Sequence, residues 1–455
     1  MSVTATSYDL AARELAGQVE AWPQGAPLRL AKRTSNLFRD RAPATTPGLD
    51  VSGWRGVLDV DVDGRTADVL GMTTYEELVD ATLAHGLMPL VVPQLKTITL
   101  GGAVAGLGIE ASSFRNGCPH ESVLEMDVLT GAGRVVTCSR EQDSALFHGF
   151  PNSYGTLGYA LRLRIELEPV LPFVHLRHVR CGSVAQAAAL MTDVCAAGSY
   201  DGEPVAFVDA VWFGPDDTRV TLGSWASAAP HVSDYTGREI YYRSLRQRPE
   251  DWLTVRDYLW RWDTDWFWCS RAFGAQHPVV RRIWPRRWLR SDVYWALVAF
   301  ERRHGWKSAL DRRRGLPERE DVVQDVEVPV DRVANFMDVF AGEVPIEPVW
   351  FCPLRQRGPD DVWDLYRLDP SVLYVNVGFW SSVALGPGEP DGTHNRLVER
   401  LVGHLGGRKS LYSTSYYDEE AFWRLYNGPV YRRLKDEHDP QARFLDLYEK
   451  CVRGG

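Results

Sequence analysis

The first third of the chain alternates apolar and polar side chains in short runs, as strands joined by tight turns do. Residues 57–70 alternate on both sides of Asp63-Gly64, which predicts a β-hairpin. Residues 122–138 repeat the pattern around 131–133, and residues 156–168 alternate as a further strand. Because hairpins place consecutive strands side by side, these segments predict an antiparallel sheet rather than a parallel, doubly wound one.

Helical periodicity marks other segments. We predict helices over 8–21, 248–261, 331–341 and 393–405, and a helix that begins with the capping-box spacing of Thr73 and Glu76. Strands and helices are mixed after Pro169. The expected fold class is therefore α+β, with two packed parts.

The changes in pattern suggest where the parts divide. We expect a first domain over residues 1–170, a second over 171–400, and a C-terminal segment over 401–455. A chain of 455 residues is long enough for two hydrophobic cores.

Composition narrows the class of protein. The net charge of −9 argues against nucleic acid as a partner, and 45% hydrophobic residues are typical of a globular chain. The seven cysteines are scattered without a CxxC pair, which predicts free thiols and no metal site. With neither a signal peptide nor a long apolar run, we expect a cytoplasmic protein.

A glycine-rich segment is the first candidate for chemistry. Residues 106–111 match the dinucleotide pattern G-x-G-x-x-A, but Gly117 and Pro119 interrupt the helix that this pattern must open. We instead expect the glycines at 101, 102, 106 and 108 to let the backbone approach a flat or phosphorylated ligand. The alternative is a tight loop whose glycines serve only its turns.

Two motifs carry a family resemblance. The string Pro93-Gln94-Leu95-Lys96-Thr97-Ile98-Thr99-Leu100-Gly101-Gly102, followed by Gly155-Thr156-Leu157-Gly158, resembles the flavin-binding domain of the vanillyl-alcohol oxidase/p-cresol methylhydroxylase superfamily. The resemblance implies a two-part FAD-binding domain of the p-cresol methylhydroxylase type and an α+β substrate (cap) domain. Many members attach FAD through a histidine in the first phosphate loop. The matching stretch, residues 32–39, has no histidine, so we expect non-covalent FAD.

The resemblance also implies a set of FAD-binding residues. They are Arg33, Thr34, Ser35, Asn36, Gln94, Thr97, Thr99, Leu100, Gly101, Gly102, Gly106, Gly108, Ser112, Ser113, Gly117, Glu121, Gly155, Thr156, Gly158 and Lys409.

Within the superfamily, residues 106–113, 143–147 and 411–423 are most similar to the delta-24 sterol reductase branch. Residues 33–39, 91–102 and 115–133 resemble actinobacterial flavoproteins that act with a fatty-acid methyltransferase and reduce a 10-methylene acyl chain to the 10-methyl chain of tuberculostearate-type lipids. The expected function is thus FAD-dependent reduction of a carbon–carbon double bond in a free or phospholipid-bound fatty acyl chain, with NADPH as reductant. A sterol reductase or an alcohol or sugar oxidase is the alternative, and a non-catalytic lipid-binding protein is a third reading.

Reduction of an isolated alkene requires a proton donor, because no carbonyl accepts the developing charge. Tyr416 is the first candidate, on the expectation that the C-terminal arm returns to the flavin; Tyr412, His120 and Glu110 are the others. Asp263 and Asp265 join them if burial raises their pKa.

An aromatic and basic run is the last candidate feature. Nine of the 17 tryptophans lie between Trp252 and Trp306, and residues 281–290 combine tryptophan with arginine. This pairing is typical of contact with a membrane surface, here the inner face of the cell membrane. Core tryptophans beside solvated arginines are the equal alternative, and nucleic-acid binding is a weaker one.

Overall fold

The computed structural model describes residues 2–32, 38–39, 47–304 and 313–454. Within these ranges the strands form two large antiparallel sheets and one small one. The strands are β1 Val57–Asp61, β2 Thr66–Leu70, β3 Leu87–Pro89, β4 Val123–Leu129, β5 Val135–Ser139, β6 Tyr159–Pro169, β7 Phe173–Cys181, β8 Ser199–Tyr200, β9 Glu203–Pro204, β10 Phe207–Trp212, β11 Thr218–Ala226, β12 Glu250–Thr254, β13 Arg319–Pro329, β14 Val349–Leu354, β15 Tyr374–Ala384 and β16 Arg408–Lys409.

The α-helices lie between and after these strands. They are Tyr8–Glu20, Tyr75–Leu83, Leu100–Gly106, Ser113–Asn116, Ser144–Gly149, Val184–Ala197, Tyr241–Ser244, Val255–Leu259, Pro278–Ile283, Ser291–His304, Val333–Glu343, Thr393–His404, Glu419–Leu425, Gly428–His438 and Leu447–Cys451. The mixture of antiparallel sheets and helices confirms the predicted α+β class.

The first sheet has the strand order β1-β2-β6-β4-β5, with β3 added to β6. Both predicted hairpins are present as β1–β2 and β4–β5. The predicted capping box lies one residue later than expected: Thr74, not Thr73, caps the helix Tyr75–Leu83, and Glu77 completes the box. Thr73 is not available as a cap because its hydroxyl bonds to the backbone of Gly56.

The second sheet has the order β12-β7-β11-β10-β14-β15-β13-β16. One face is covered by helices that bury Val326, Phe336 and Val398 in a separate core. The prediction of a helix over 248–261 is wrong in its first half, where Glu250–Thr254 pairs with β7 as an edge strand. Only Val255–Leu259 is helical.

The other face of the second sheet packs against the first sheet's half of the molecule. Trp350 and Cys352 of β14 share one continuous core with Val69 and Leu163 of the first sheet. The C-terminal segment also returns to the first half, where Lys435 Nζ donates to the carbonyl oxygen of Thr156 at 2.9 Å. The candidate site lies where these parts meet.

Candidate active site

The two glycine-containing motifs come together in space. Thr99 caps the helix Leu100–Gly106 through a hydrogen bond from the Gly102 N–H, and the helix ends at Gly106. There the N–H of Tyr154 donates to Ala105 O at 2.8 Å, and its hydroxyl donates to Gly106 O. The turn that contains Gly155 is thus fastened to the end of the Leu100–Gly106 helix.

Three of the predicted glycines are explained by close packing within the chain. A Cβ on Gly101 would lie 2.8 Å from Gly71 O, one on Gly106 would lie 3.0 Å from the Tyr154 ring, and one on Gly108 would lie 3.0 Å from Pro93. Gly102 differs, because it is exposed and meets only the Thr99 side chain. Of these four glycines, only Gly102 therefore leaves its backbone accessible to a ligand, and the other three pack against the protein itself.

Several side chains of the predicted FAD set bond within the protein. The Ser112 hydroxyl donates to Leu90 O at 2.8 Å, the Ser113 hydroxyl accepts from Glu110 N at 3.0 Å, and the Thr156 hydroxyl donates to Ser153 O at 2.7 Å. The amide of Gln94 donates to Ile109 O at 3.3 Å. These contacts order the loops, and the role of the side chains in binding FAD stays a prediction.

Other residues of the predicted FAD set lie on the two motifs or outside the described residues. Thr97 and Thr99 are half-buried beside Leu100, and Gly158 adopts φ 154° at the start of β6. Lys32 Nζ lies 3.3 Å from Thr99 Oγ1, which places the first residue of the stretch 32–39 against the motif. The predicted residues Arg33, Thr34, Ser35 and Asn36 lie outside the described residues.

The loop 117–121 is held by a buried carboxylate. Glu121 accepts hydrogen bonds from the N–H groups of Cys118 at 2.8 Å and Arg357 at 2.6 Å, and burial raises its pKa to about 7. Gly117 has φ 68°, and a Cβ there would lie 2.0 Å from Glu121 Oε1. His120 packs edge-on against Trp363 at 4.4 Å. Burial lowers the His120 pKa to about 3, which favours the neutral imidazole, and its role as a proton donor stays a prediction.

The face of the second sheet that packs toward the first sheet carries a group of acids that could not be identified from the sequence. Asp325 and Glu327 alternate on β13 with Val326, which belongs to the helix-covered core. Asn376 of β15 lies opposite Glu327, and Gly378 lies opposite Asp325. Because directly paired residues project to the same face, Asp325, Glu327 and Asn376 share one surface.

Burial dominates the titration of these acids. It raises the pKa of Asp325 to about 7, although Asn376 and Tyr412 act in the opposite direction. Burial also raises the pKa of Glu327 well above its ordinary value, and the hydroxyl of Tyr366 donates to its Oε2. Burial therefore favours the protonated form of both carboxyl groups on this face.

Tyr412 connects this face to the motifs. Its hydroxyl accepts from Trp380 Nε1 at 2.8 Å, and its carbonyl accepts from Phe38 N at 3.0 Å. Two residues earlier, Ser410 N donates to Asp325 O at 3.0 Å, while the Ser410 hydroxyl lies 3.4 Å from that of Tyr154. Tyr412, Asp325 and the end of the glycine motif thus converge on one place, which we call the candidate site.

Tyr416 and Lys409 lie elsewhere. Lys409 pairs with Val326 and projects with it to the helix-covered face, where its Nζ lies 2.7 Å from Glu399 Oε1. Glu399 also accepts from the Tyr416 N–H at 3.0 Å, and the Tyr416 ring lies under the Arg396 guanidinium. The prediction that Tyr416 donates the proton gains no support from this position.

Glu110 belongs to a buried ion-pair cluster. Arg261 Nη2 lies 2.8 Å from Glu110 Oε1 and 3.0 Å from Asp209 Oδ2, and the indole N–H groups of Trp262 and Trp350 each lie 3.3 Å from the same Asp209 oxygen. Burial raises the Glu110 pKa to about 7, which Arg261 offsets only in part. The cluster joins the glycine-rich loop to the second sheet.

Asp263 and Asp265 are buried, and their pKa values are raised by burial, as their apolar surroundings predicted. Both carboxylates have partners within the protein. Asp263 Oδ1 accepts from Ser291 Oγ at 2.6 Å, and Asp265 pairs with Arg281. Neither residue contacts Tyr412 in the hydrogen-bond network described above.

The donor groups around the candidate site fit a flavin dinucleotide. Within the described residues, several buried polar atoms near the two motifs and the sheet face have no hydrogen-bonding partner in the protein. They are the hydroxyls of Ser153, Ser413 and Ser415, and both ring nitrogens of His120. Since buried polar groups are nearly always hydrogen-bonded, a polar ligand with phosphate oxygens and a heterocyclic edge is suited to satisfy them.

Comparison with known proteins agrees with this fit. Residues 19–139 match the family model described as an FAD binding domain. The human Delta(24)-sterol reductase is 24% identical over 420 residues, which cover 87% of this chain and 76% of that protein. A Delta(24)-sterol reductase homolog from Caenorhabditis elegans is 25% identical over 88% of this chain and 78% of its own length.

A second kind of relative matches a shorter part of the chain. Cytokinin dehydrogenase 2 of rice, Oryza sativa subsp. japonica, is 38% identical over 112 residues, or 25% of this chain and 20% of that protein. The resemblance to the flavin superfamily and to sterol reductases is therefore confirmed. The chain carries an FAD-binding domain and is similar to FAD-dependent oxidoreductases through both of its large sheets.

Two further predictions can be compared with the structure. All seven cysteines are free thiols, as their spacing predicted. Among the described residues, no helix has both the length and the apolar character needed to cross a membrane.

Proposed function

We propose that this FAD-dependent oxidoreductase reduces a carbon–carbon double bond in a lipid. The observation that carries the proposal is the pair Asp325 and Tyr412, a protonatable carboxyl and a tyrosine that meet beside the Trp380 ring, on the sheet face next to the flavin motifs. The long similarity to Delta(24)-sterol reductases supports the same reaction class.

Reduction of the alkene requires a hydride, a proton and stabilisation of positive charge. FAD, when bound and reduced, supplies a hydride. Asp325 holds a proton near neutral pH and releases it to one alkene carbon, while the hydride goes to the other, so that two electrons and two hydrogens are added. The rings of Phe267 and Trp380, 4.4 Å apart, stabilise the positive charge that develops on the substrate between the two transfers.

Glu327 and Tyr412 position the donor. Repulsion from Asp325 contributes to the raised pKa of Glu327, so the pair does not ionise together. Tyr412 accepts from Trp380, and its hydrogen bond to Asp325 lowers the pKa of that carboxyl and helps to hold the donor in place. The proton on Asp325 is replenished from solvent after each turnover, and we expect NADPH to reduce the flavin.

Two lipids are the candidates for the substrate. The resemblance of residues 33–39, 91–102 and 115–133 to acyl-chain reductases favours a 10-methylene fatty acyl chain, supplied by a fatty-acid methyltransferase as functional partner. The similarity to Delta(24)-sterol reductases favours a sterol-type alkene. Both are isolated alkenes whose protonation leaves charge on a branched carbon, so the candidate site makes the same demand of each.

The experiment is an anaerobic half-reaction followed by spectroscopy. NADPH is added to the purified protein, and the reduced protein is then mixed either with a 10-methylene fatty-acyl phospholipid or with a sterol that is unsaturated at position 24. Bleaching of the flavin absorbance by NADPH and its return with one lipid establish the reaction and choose the substrate. Recovery only with oxygen would instead indicate an oxidase, and a protein that binds no flavin would contradict the proposal.

A further inference from the structure

An exposed surface on the second half of the chain combines apolar and basic side chains. Within the described residues, five of the large apolar side chains that remain exposed lie between 279 and 300. They are Val279, Ile283, Trp288, Leu297 and Phe300. The rest of the exposed large apolar residues are distributed from Leu10 to Val362. A concentration of this kind on a folded chain marks a contact surface.

Arg281 fixes the orientation of this surface. Its guanidinium is buried, bonds to both carboxylate oxygens of Asp265 at 2.6 and 2.9 Å, and donates to the carbonyl oxygen of Gly237 at 2.7 Å. The helix Pro278–Ile283 is therefore held by one side, and Val279 and Ile283, four residues apart, project together from the other. Their exposed fractions are 64% and 76%.

Basic groups surround these apolar side chains. Arg282, Arg286 and Arg287 are exposed, and the Arg287 guanidinium lies 5.7 Å from the ring centre of Trp288, which is itself 49% exposed. Asp234 is the acidic neighbour, 3.5 Å from Arg286. A locally basic surface on a chain of net charge −9 gives electrostatic complementarity to an anionic partner.

We propose that residues 279–288 form a docking surface for the anionic headgroup layer of a lipid bilayer. Tryptophan and aliphatic side chains enter the interface to headgroup depth, while arginine stems extend along the apolar surface and keep their charge at the phosphates. A protein partner would need the apolar side chains in a complementary groove and would not require lipid charge. Arg281, which sequence reasoning assigned to this surface, anchors it from within instead.

The same segment leads toward the candidate site. Trp295, in the helix that follows, lies 5.2 Å from Phe38, and Phe38 lies 6.0 Å from the ring of Tyr412. Docking through residues 279–288 thus brings the bilayer to the side of the molecule from which an aromatic path reaches Tyr412. This last step rests on the proposed function, whereas docking itself does not.

The test measures sedimentation of the full-length protein with vesicles, without any enzymatic assay. Vesicles that contain phosphatidylglycerol in phosphatidylcholine are expected to bind the wild type at least tenfold more tightly than vesicles of phosphatidylcholine alone. The variant Arg282→Glu/Arg286→Glu/Arg287→Glu is expected to lose at least tenfold in partitioning, and Ile283→Ser/Trp288→Ser to lose a comparable factor on the same vesicles. Arg13→Glu/Arg424→Glu/Arg433→Glu changes net charge equally at exposed positions elsewhere and is expected to leave binding unchanged.

Three results would overturn the inference. Equal binding of the wild type and the Arg282/Arg286/Arg287 variant is one, and loss of binding in the control variant is another. The third is concentration-dependent self-association of the wild type, abolished by Ile283→Ser/Trp288→Ser, without vesicle binding, which would assign the surface to a second copy of the chain. Loss of lipid reduction with intact vesicle binding would bear on the proposed function alone.

Discussion

At the residue scale, the candidate site depends on whether Asp325 carries a proton. Burial raises its pKa to about 7, so the acid form predominates below that pH and is lost above it. We predict that reoxidation of the reduced protein by the lipid slows as the pH rises through 7, and that Asp325→Asn slows it by roughly 10²- to 10⁴-fold. Single-turnover rates measured from pH 5.5 to 8.5 provide the check.

The control for this prediction lies on the same strand. Asp321→Asn changes an exposed carboxyl four residues earlier and is expected to leave the rate and its pH dependence unchanged. If Asp325→Asn keeps the alkaline loss of rate, then another group supplies the proton.

The same titration predicts how stability depends on pH. The pKa of Asp325 is higher in the folded state than in the unfolded chain, so between about pH 4 and 7 the folded state binds more protons. Stability from this group is present at low pH and falls as the pH rises, by at most about 1.4 kcal/mol per pH unit. The free energy of urea unfolding is expected to decrease less between pH 5 and 8 in Asp325→Asn than in the wild type. An equal or larger decrease in the variant would contradict the assignment.

Tyr412 could be predicted from the sequence and Asp325 could not, for a physical reason. Tyr412 belongs to a segment that resembles a known family, whereas Asp325 is one acid in the run Val-Val-Gln-Asp-Val-Glu-Val. Alternation in that run shows that Asp325 and Glu327 share a face. Which face is buried, and which residues of β15 lie opposite, depends on pairing with a strand some 50 residues away.

At the scale of elements, we expect flavin binding to depend on the backbone conformation of the loop 117–121. Gly117 has φ 68°, and a Cβ there would lie 2.0 Å from the Glu121 carboxylate. We predict that Gly117→Ala displaces Glu121 from the N–H groups of Cys118 and Arg357, and that the protein loses both stability and bound flavin. The flavin content after purification and the thermal unfolding midpoint measure the two effects.

Gly86→Ala is the matched control. Gly86 has nearly the same conformation, φ 70°, but no atom lies within 4 Å of the position its Cβ would take. Its cost is therefore the backbone term alone, about 1–2 kcal/mol, with no loss of flavin. Equal effects of the two substitutions would show that the contact with Glu121 contributes nothing.

The sequence predicted correctly those helices and hairpins that depend on neighbouring residues alone. The hairpins at 57–70 and 122–138 follow from their turn residues, and the helix Thr393–His404 follows from its periodicity. Residues 250–254 were predicted as part of a helix over 248–261, yet the open edge of β7 pairs with them as a strand. A free sheet edge offers hydrogen bonds that no local pattern reveals.

At the scale of the whole molecule, the two sheets are joined through buried charge as well as apolar packing. Arg261 pairs with Glu110 of the glycine-rich loop and with Asp209 of β10, and all three side chains are buried. The sequence predicted two packed parts, and it named Glu110 as a proton donor. It could not predict this cluster, because its members are separated by 99 and 52 residues and meet only when the sheets pack.

We predict that this cluster contributes to the free energy that holds the two parts together. Arg261→Met leaves Glu110 and Asp209 buried without their cation, and we expect it to destabilise the protein by about 3–5 kcal/mol. Adding Glu110→Gln and Asp209→Asn removes the uncompensated charges, so the triple variant is expected to recover part of that loss. Thermal or urea unfolding followed by tryptophan fluorescence measures both changes.

Arg256→Met is the control that distinguishes a buried ion pair between the two parts from an exposed one. Arg256 also links them, through Asp80 at 2.8 Å, but both side chains are 47% exposed. Water and salt already solvate that pair, so its loss is expected to cost about 0–1 kcal/mol. If Arg256→Met proves as costly as Arg261→Met, then any link between the parts is sufficient to explain the effect. If only Arg261→Met is costly and the triple variant recovers, then the buried charges hold the glycine-rich loop against the sheet face that carries Asp325.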